Sequence, residues 1–162
     1  MRNEYTIVSI ENKKLYGLSV ALTKSQNRNY AIISNFWKEF NAKLRLSDLP
    51  KQTGGNWEKY GITCKTDEEY RYFCGIPVDN EYTNPNFEER TITQGNHILF
   101  KHKGTMFNLK DTFYSIYKDI IPTGKLVLNQ SQYFHFERYS YQFKWNNENS
   151  IIEIYLPIGN SR

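Results

Sequence analysis

The sequence predicts an α+β protein built from two copies of one β-α-β-β unit. Each copy is an antiparallel sheet with a single helix packed on one side, and an approximate twofold axis relates the copies across a cleft. Three observations carry this reading: blocks of sequence recur at a nearly constant offset, each half contains one amphipathic helical pattern, and each helix is followed by two β-rich runs split by a polar turn. At an offset of 79, Glu58-Lys59-Tyr60 and Lys65 lie over Glu137-Arg138-Tyr139 and Lys144. At 80, Trp37-Lys38-Glu39-Phe40 lies over Tyr117-Lys118-Asp119-Ile120, and Gly75-Ile76-Pro77-Val78 over Tyr155-Leu156-Pro157-Ile158. The first copy runs over about 5–79 and the second over about 90–159, in one domain spanning 1–162.

The elements follow in order. Leu15 to Thr23 is a β-rich run and reads as the first strand. Over residues 30–45, Ile32, Ile33, Phe36, Trp37, Phe40 and Leu44 recur every three or four positions and make one apolar helix face. Two strands then meet at Thr66 to Glu69, after the turn-rich stretch Ser47 to Asn56 in which Gly54-Gly55 reads as a linker. The second copy opens with the strand Ile92 to Lys103. A helix over 109–121 follows, carrying Leu109, Phe113, Ile116, Tyr117 and Ile120 on one face, with Asn108 as N-cap and Pro122-Thr123-Gly124 as its stop. The strand Tyr133 to Phe143, a turn at Asn146 to Ser150 and a last strand complete it. Pro77 and Pro157 fall where a missing N–H is tolerated, at strand ends.

Composition excludes several classes. With 162 residues, 39 % of them hydrophobic and 16 % aromatic, the chain has the material for a packed core and is not a disordered protein. No apolar run is long enough to span a membrane, and Met1 to Ile10 lacks the apolar stretch of a signal peptide, so a cytoplasmic protein without membrane partners is expected. The net charge of +4 is spread as +3 over residues 1–80 (12 basic, 9 acidic) and +1 over 81–162 (9 basic, 8 acidic). Without clustered cations, nucleic-acid binding is not expected. Cys64 and Cys74 are too few for a disulfide framework, and His97, His102 and His135 lack metal-ligand spacing, so neither metal nor cofactor is expected.

Strand alternation supplies the sharpest chemical clue. Between Tyr133 and Phe143 one parity carries Tyr133, His135, Glu137, Tyr139, Tyr141 and Phe143, which places the Glu137 carboxylate among rings. An ionised carboxylate pays heavily for desolvation there unless it is paired, hydrogen-bonded or protonated, and such placements are enriched at functional sites. Its repeat mate Glu58 shares parity with Tyr60, Ile62 and Cys64. In the last strand Ile152, Ile154, Leu156 and Ile158 form the core face, leaving Glu153, Tyr155 and Pro157 on the other, where Glu153 and Tyr155 would point into the cleft. A carboxylate amid aromatic rings suits a ligand that is flat or greasy and cationic. The candidate ligand-binding residues are Glu137 and Glu153 with the rings Trp37, Trp57, Tyr60, Tyr117, Tyr139 and Tyr155; no catalytic residue is assigned.

Four motifs carry a resemblance: Tyr60-Gly61-Ile62-Thr63 with Asp67 and the strand Tyr70 to Val78; His97 to Gly104; Phe136-Glu137-Arg138-Tyr139; and Ile152-Glu153-Ile154-Tyr155-Leu156-Pro157-Ile158. In this order, across nearly the whole chain, they resemble the GyrI-like effector-binding domain, which also forms the C-terminal half of AraC- and MerR-type drug-responsive regulators and occurs as stand-alone integron-cassette effector-binding proteins. The resemblance implies a pseudo-twofold pocket for small amphipathic, often cationic molecules, with Glu137 as the pocket glutamate. No residues are left for a helix-turn-helix, so DNA binding is not carried over. A stand-alone binding module that senses or sequesters such molecules, in a transcription-related or drug-binding role, is the leading expectation. Two alternatives stand beside it: a hydrolase of strained electrophilic compounds in which paired pocket glutamates activate water, and a protein-binding inhibitor of a large enzyme such as gyrase.

Overall fold

The strands come in the order β1 (Tyr5–Ile10), β2 (Lys13–Ala21), β3 (Lys59–Thr66), β4 (Glu69–Pro77), β5 (Glu88–Ile92), β6 (Gly95–Lys103), β7 (His135–Tyr139) and β8 (Ile151–Pro157). Helix α1 (Gln26–Arg45) separates β2 from β3. Between β6 and β7 a 3-10 turn (Met106–Asn108), α2 (Leu109–Ser115), a π-helical stretch (Ile116–Ile120) and α3 (Ile121–Thr123) run on as one helical rod. The β-α-β-β order therefore occurs twice, in β2-α1-β3-β4 and in β6-α2-β7-β8. This computed structural model describes residues 4–50, 57–79, 81–124 and 126–159; Gly54-Gly55 lies outside them.

The two halves share one eight-stranded antiparallel sheet of order β1-β6-β8-β7-β3-β4-β2-β5, joined where β3 pairs with β7. The edge strands were not legible in the sequence pattern. β1 pairs with β6, and β5 with β2, so each half receives its edge strand from the segment that precedes the other half. This exchange forces the sheet to curl. In a flat sheet β1 and β2, six strand spacings apart, would lie about 29 Å from each other. Yet the chain passes from Ile10 to Lys13 in three residues, which reach about 11 Å at most. Ile92 to Gly95 makes the matching crossing from β5 to β6, and the two crossings are tied by the Gln94 N–H, which donates to Asn12 Oδ1 at 2.7 Å.

Both helices cover the same side of the sheet. α1 packs Phe36 and Phe40 on Tyr16, Tyr72, Cys74 and Ile76, and the second rod packs Ile116 with Phe113 and Ile120 on Ile98, Phe100, Ile154 and Leu156. The opposite side has its own core of Leu15, Tyr60, Ile62, Phe73, Ile92, Tyr133 and Phe136. Ile152, Ile154 and Leu156 form the buried face of β8, as strand alternation predicts.

Local chemistry moves several boundaries. Helix α1 starts at Gln26, ahead of its apolar stripe, because Ser25 caps it by accepting from the Arg28 N–H at 3.4 Å. Asn108 is helical itself and makes no side-chain cap, since the 3-10 turn precedes it. The β3–β4 turn places Asp67 (φ 49°) and Glu68 (φ 69°) in the left-handed region, as a two-residue hairpin turn whose twist matches its strands requires. Strand β7 is only five residues long, and Tyr133, which precedes it, packs on the opposite side of the sheet from Glu137. Cys64 pairs with Arg71 and Cys74 with Gly61, so the two buried thiols sit on opposite faces rather than across from each other. Among the described residues no helix is long and apolar enough to cross a membrane.

Candidate functional site

The centre of the sheet is the β3–β7 seam, and the register there decides which residues share a face. Gly61 lies opposite Glu137 and Tyr60 opposite Arg138, while on the other flank Ile154 lies opposite Glu137 and Glu153 opposite Arg138. Glu137 therefore points to the helical side with Ile154, and Arg138 points away from it with Tyr60 and Glu153.

On the helical side Glu137 is 4 % exposed and sits inside a ring of aromatic hydroxyls. Tyr72 OH donates to Glu137 Oε1 at 2.8 Å and Tyr139 OH donates to the same oxygen at 2.9 Å. Trp37 Nε1–H, from α1, donates to the Tyr72 oxygen at 3.0 Å, so the chain of donors runs from the helix to the carboxylate. The Trp37 ring also meets the Tyr139 ring edge-on at 5.4 Å. The second rod contributes Tyr117, whose hydroxyl lies 2.7 Å from His135 Nδ1, and Phe113, whose ring is 4.6 Å from the imidazole. His135 Nε2 is 3.8 Å from Glu137 Oε2.

Burial dominates the titration of this cage. Desolvation pushes Glu137 up to about 7 against the opposing pull of the Tyr72 and Tyr139 hydrogen bonds. Desolvation also pulls His135 down to about 3. The imidazole is therefore neutral at pH 7, and its 3.8 Å approach to Glu137 is not an ion pair. The cage exists because position 61 has no side chain. A Cβ on Gly61 would overlap the Tyr72 hydroxyl and stand 3.2 Å from Glu137 Oε1, closing the space in which the phenol and the carboxylate meet.

On the opposite side the carboxylates are treated differently. Arg138 Nε donates to Glu58 Oε1 at 2.7 Å, and its Nη1 donates to Glu153 Oε1 at 2.7 Å. Lys13 Nζ reaches Glu58 Oε2 at 3.3 Å and Tyr60 OH at 3.2 Å. Tyr155 OH donates to Glu153 Oε1 at 3.0 Å. Burial raises the Glu58 carboxyl, but the Arg138 hydrogen bond and the charges of Lys13 and Arg138 outweigh it and leave Glu58 below its ordinary value.

The residues singled out from the sequence thus fall into two groups. Glu137, Trp37, Tyr117 and Tyr139 come together under the helices, whereas Glu153, Tyr60 and Tyr155 assemble with Glu58 around Arg138 on the other face. Trp57, half-buried just before β3, takes part in none of the hydrogen bonds or ring contacts that build either group. The pairing of Glu137 with Glu153 is corrected: side chains on opposite faces of a sheet cannot share one water. The equivalence of Glu58 with Glu137 is corrected for the same reason. An odd offset of 79 flips a strand residue to the other face, whereas 80 keeps Ile76 with Leu156 on the helical side. Sequence reasoning passed over Tyr72, His135 and Arg138 as site residues. Strand parity places His135 beside Glu137, but Tyr72 comes from β4, two strands away, and no local pattern signals it.

Solved structures with this fold were found. SAV2435, bound to tetraphenylphosphonium, has a TM-score of 0.77 at 18 % identity over 97 % of this chain and 94 % of its own. The C-terminal domain of EcmrR has a TM-score of 0.66 at 16 % identity, covering 99 % of both chains. The integron cassette protein VCH_CASS2 from the mobile metagenome of Vibrio cholerae has a TM-score of 0.62 at 16 % identity, over 96 % of this chain and 95 % of its own. No match to a curated protein was found. These likenesses establish the fold, a curled antiparallel sheet of the GyrI-like kind. The sequence profile of the Cass2 family, integron-associated effector binding proteins, matches residues 6–158, and with nearly the whole chain covered the protein belongs to that family.

Proposed function

We propose that this protein binds a small amphipathic cation at the Glu137 cage, as a module that senses or sequesters such molecules. The observation that carries the reading is the Glu137 carboxylate itself: fully enclosed, held by two phenols, and walled by Trp37, Tyr72, Tyr139 and the Tyr117–His135 pair. Burial among neutral groups makes its charge costly, and an incoming cation removes that cost by supplying a counter-charge. The rings supply apolar area and the cation–π attraction of their faces. Membership of an effector-binding family and the tetraphenylphosphonium bound to SAV2435 support the same ligand class.

The test uses tetraphenylphosphonium and an uncharged tetraphenyl analogue, titrated into the wild type and Glu137→Gln with Trp fluorescence as readout. Glu137→Gln is expected to weaken the cation by about 1–3 kcal/mol, roughly 5- to 150-fold, and to leave the neutral analogue unchanged. Equal losses for both ligands would remove Glu137 from the counter-charge role.

A further inference from the structure

We infer that the sheet face away from the helices carries a second, separate site, which takes a flat, uncharged aromatic molecule bearing a hydrogen-bond acceptor. A cavity of about 390 Å³ opens there, lined by Tyr60, Phe136, Tyr155, Ile92, Arg138 and the end of β1 with the crossing that follows it, Val8 to Lys13. That volume lies in the range of small-molecule sites. Two of its lining rings form a stack, buried Phe136 against half-buried Tyr155, at 4.6 Å with 12° between their planes. A planar ligand extends such a stack in the offset geometry that aromatic rings prefer.

Charge decides the ligand class. Arg138 and Lys13 are opposed by Glu58 and Glu153 in one hydrogen-bonded network, and these four formal charges sum to zero. Glu58 and Glu153 are not among the lining residues; both bond to the guanidinium, with side chains 18 % and 14 % exposed. Glu11, the remaining charged lining residue, is exposed on the crossing segment, where water screens it. A cation or an anion entering the cavity would therefore shed its hydration without meeting an uncompensated partner, which is unfavourable. An uncharged molecule carries no such penalty. One donor is left over: the guanidinium has five N–H groups, three are directed at Glu58 and Glu153, a further one meets the Tyr60 hydroxyl, and Arg138 borders the cavity. A carbonyl oxygen on the ligand matches that donor. The site is distinct from the Glu137 cage because Phe136 and Arg138 flank Glu137 on β7 and face the other way.

The probe is 1-methyl-2-quinolone, flat and uncharged with one carbonyl acceptor, compared with N-methylquinolinium and quinoline-2-carboxylate as charged molecules of similar size. Calorimetric titration of the wild type is expected to give saturable binding of the quinolone at least tenfold tighter than of either charged compound. Glu137→Gln should keep that affinity within twofold. Val8→Trp, which fills the cavity from β1, and Tyr155→Leu, which removes the more exposed ring of the stack, should each weaken it tenfold or more, with folding checked by thermal melting. If one blocking variant fails to fold, the other carries the comparison. Absence of saturable quinolone binding, tighter binding of a charged compound, or loss of binding in Glu137→Gln with retention in the blocking variants would each overturn the inference. Failure of the cation site leaves this result untouched, because the Glu137→Gln arm reads the two sites apart.

Discussion

Raising the pH from 5 to 8 should strengthen cation binding at Glu137 steeply and then level off. With the buried carboxyl titrating at about 7, about 1 % of it is ionised at pH 5, about 9 % at pH 6 and about half at pH 7. A cation that requires the ionised form therefore gains about 50-fold in affinity between pH 5 and pH 7, or roughly 2.3 kcal/mol, and little above pH 8. The groups facing Glu137 do not blur the profile. His135 is held neutral by burial down to about 3, and burial raises the Tyr72, Tyr139 and Tyr117 hydroxyls above their ordinary value. Binding at pH 5 to 6 must then release close to one proton per cation. Calorimetric titration of tetraphenylphosphonium in two buffers of different ionisation heat measures both quantities. An affinity that stays flat across this range, or a slope that survives in Glu137→Gln, would refute the reasoning.

The remaining expectations concern stability and the cage geometry. Glu137 has a folded-state pKa raised from 4.5 to about 7, so its contribution is fully present below about pH 4.5 and is lost as the pH rises through 7. Between these limits the folded state binds more protons than the unfolded, and the wild type should lose about 3 kcal/mol relative to Glu137→Gln, as followed by urea unfolding at pH 4.5 and 8. His135, lowered from 6.5 to about 3, works in the other sense and offsets the wild-type slope between about pH 4.5 and 6.5, which is why the difference between wild type and variant is the quantity to measure. Gly61→Ala should destabilise by about 1–3 kcal/mol by forcing the Tyr72 hydroxyl aside. Losing that donor should also move the midpoint of the cation-affinity profile above pH 7, and an unshifted midpoint with intact binding would show that the cage tolerates a Cβ there.

Both helices, the β3–β4 hairpin and the buried face of β8 could be read from the sequence because each rests on local periodicity or turn chemistry. The unusual placement of Glu137 was legible for the same reason: alternation along one strand is enough to put a carboxylate beside Tyr139. What alternation cannot supply is absolute direction. It groups residues within a strand, but only the register between strands says which groups share a face, and a repeat alignment that is odd by one residue reverses the answer. Glu58 and Tyr60 were set beside Glu137 and Tyr139 by that route, and the structure puts them on the far side. The edge strands β1 and β5 were hidden because their partners come from the other half of the chain. The exposed Ile7 and Tyr5 of β1 carry no inward pattern.

Strand β7 is where this distinction acquires chemical weight. Within five residues it sends His135, Glu137 and Tyr139 to one side and Phe136 and Arg138 to the other. The two sides then treat carboxylates in opposite ways: Glu137 is raised toward neutrality by burial with only neutral donors around it, while Glu58 is held below its ordinary value by Arg138 and Lys13. A slip of one residue would press the guanidinium against Trp37 and Tyr72 and leave Glu58 and Glu153 without their shared cation, breaking both arrangements at once. The seam is fixed by the run of pairs from Lys59–Tyr139 to Thr63–His135, by the Phe134 N–H donating to the Thr63 carbonyl at 2.9 Å, and by Gly61, which leaves room opposite Glu137. Register is thus the device that lets one short strand hold a protonatable acid on one face and a closed ionic network on the other.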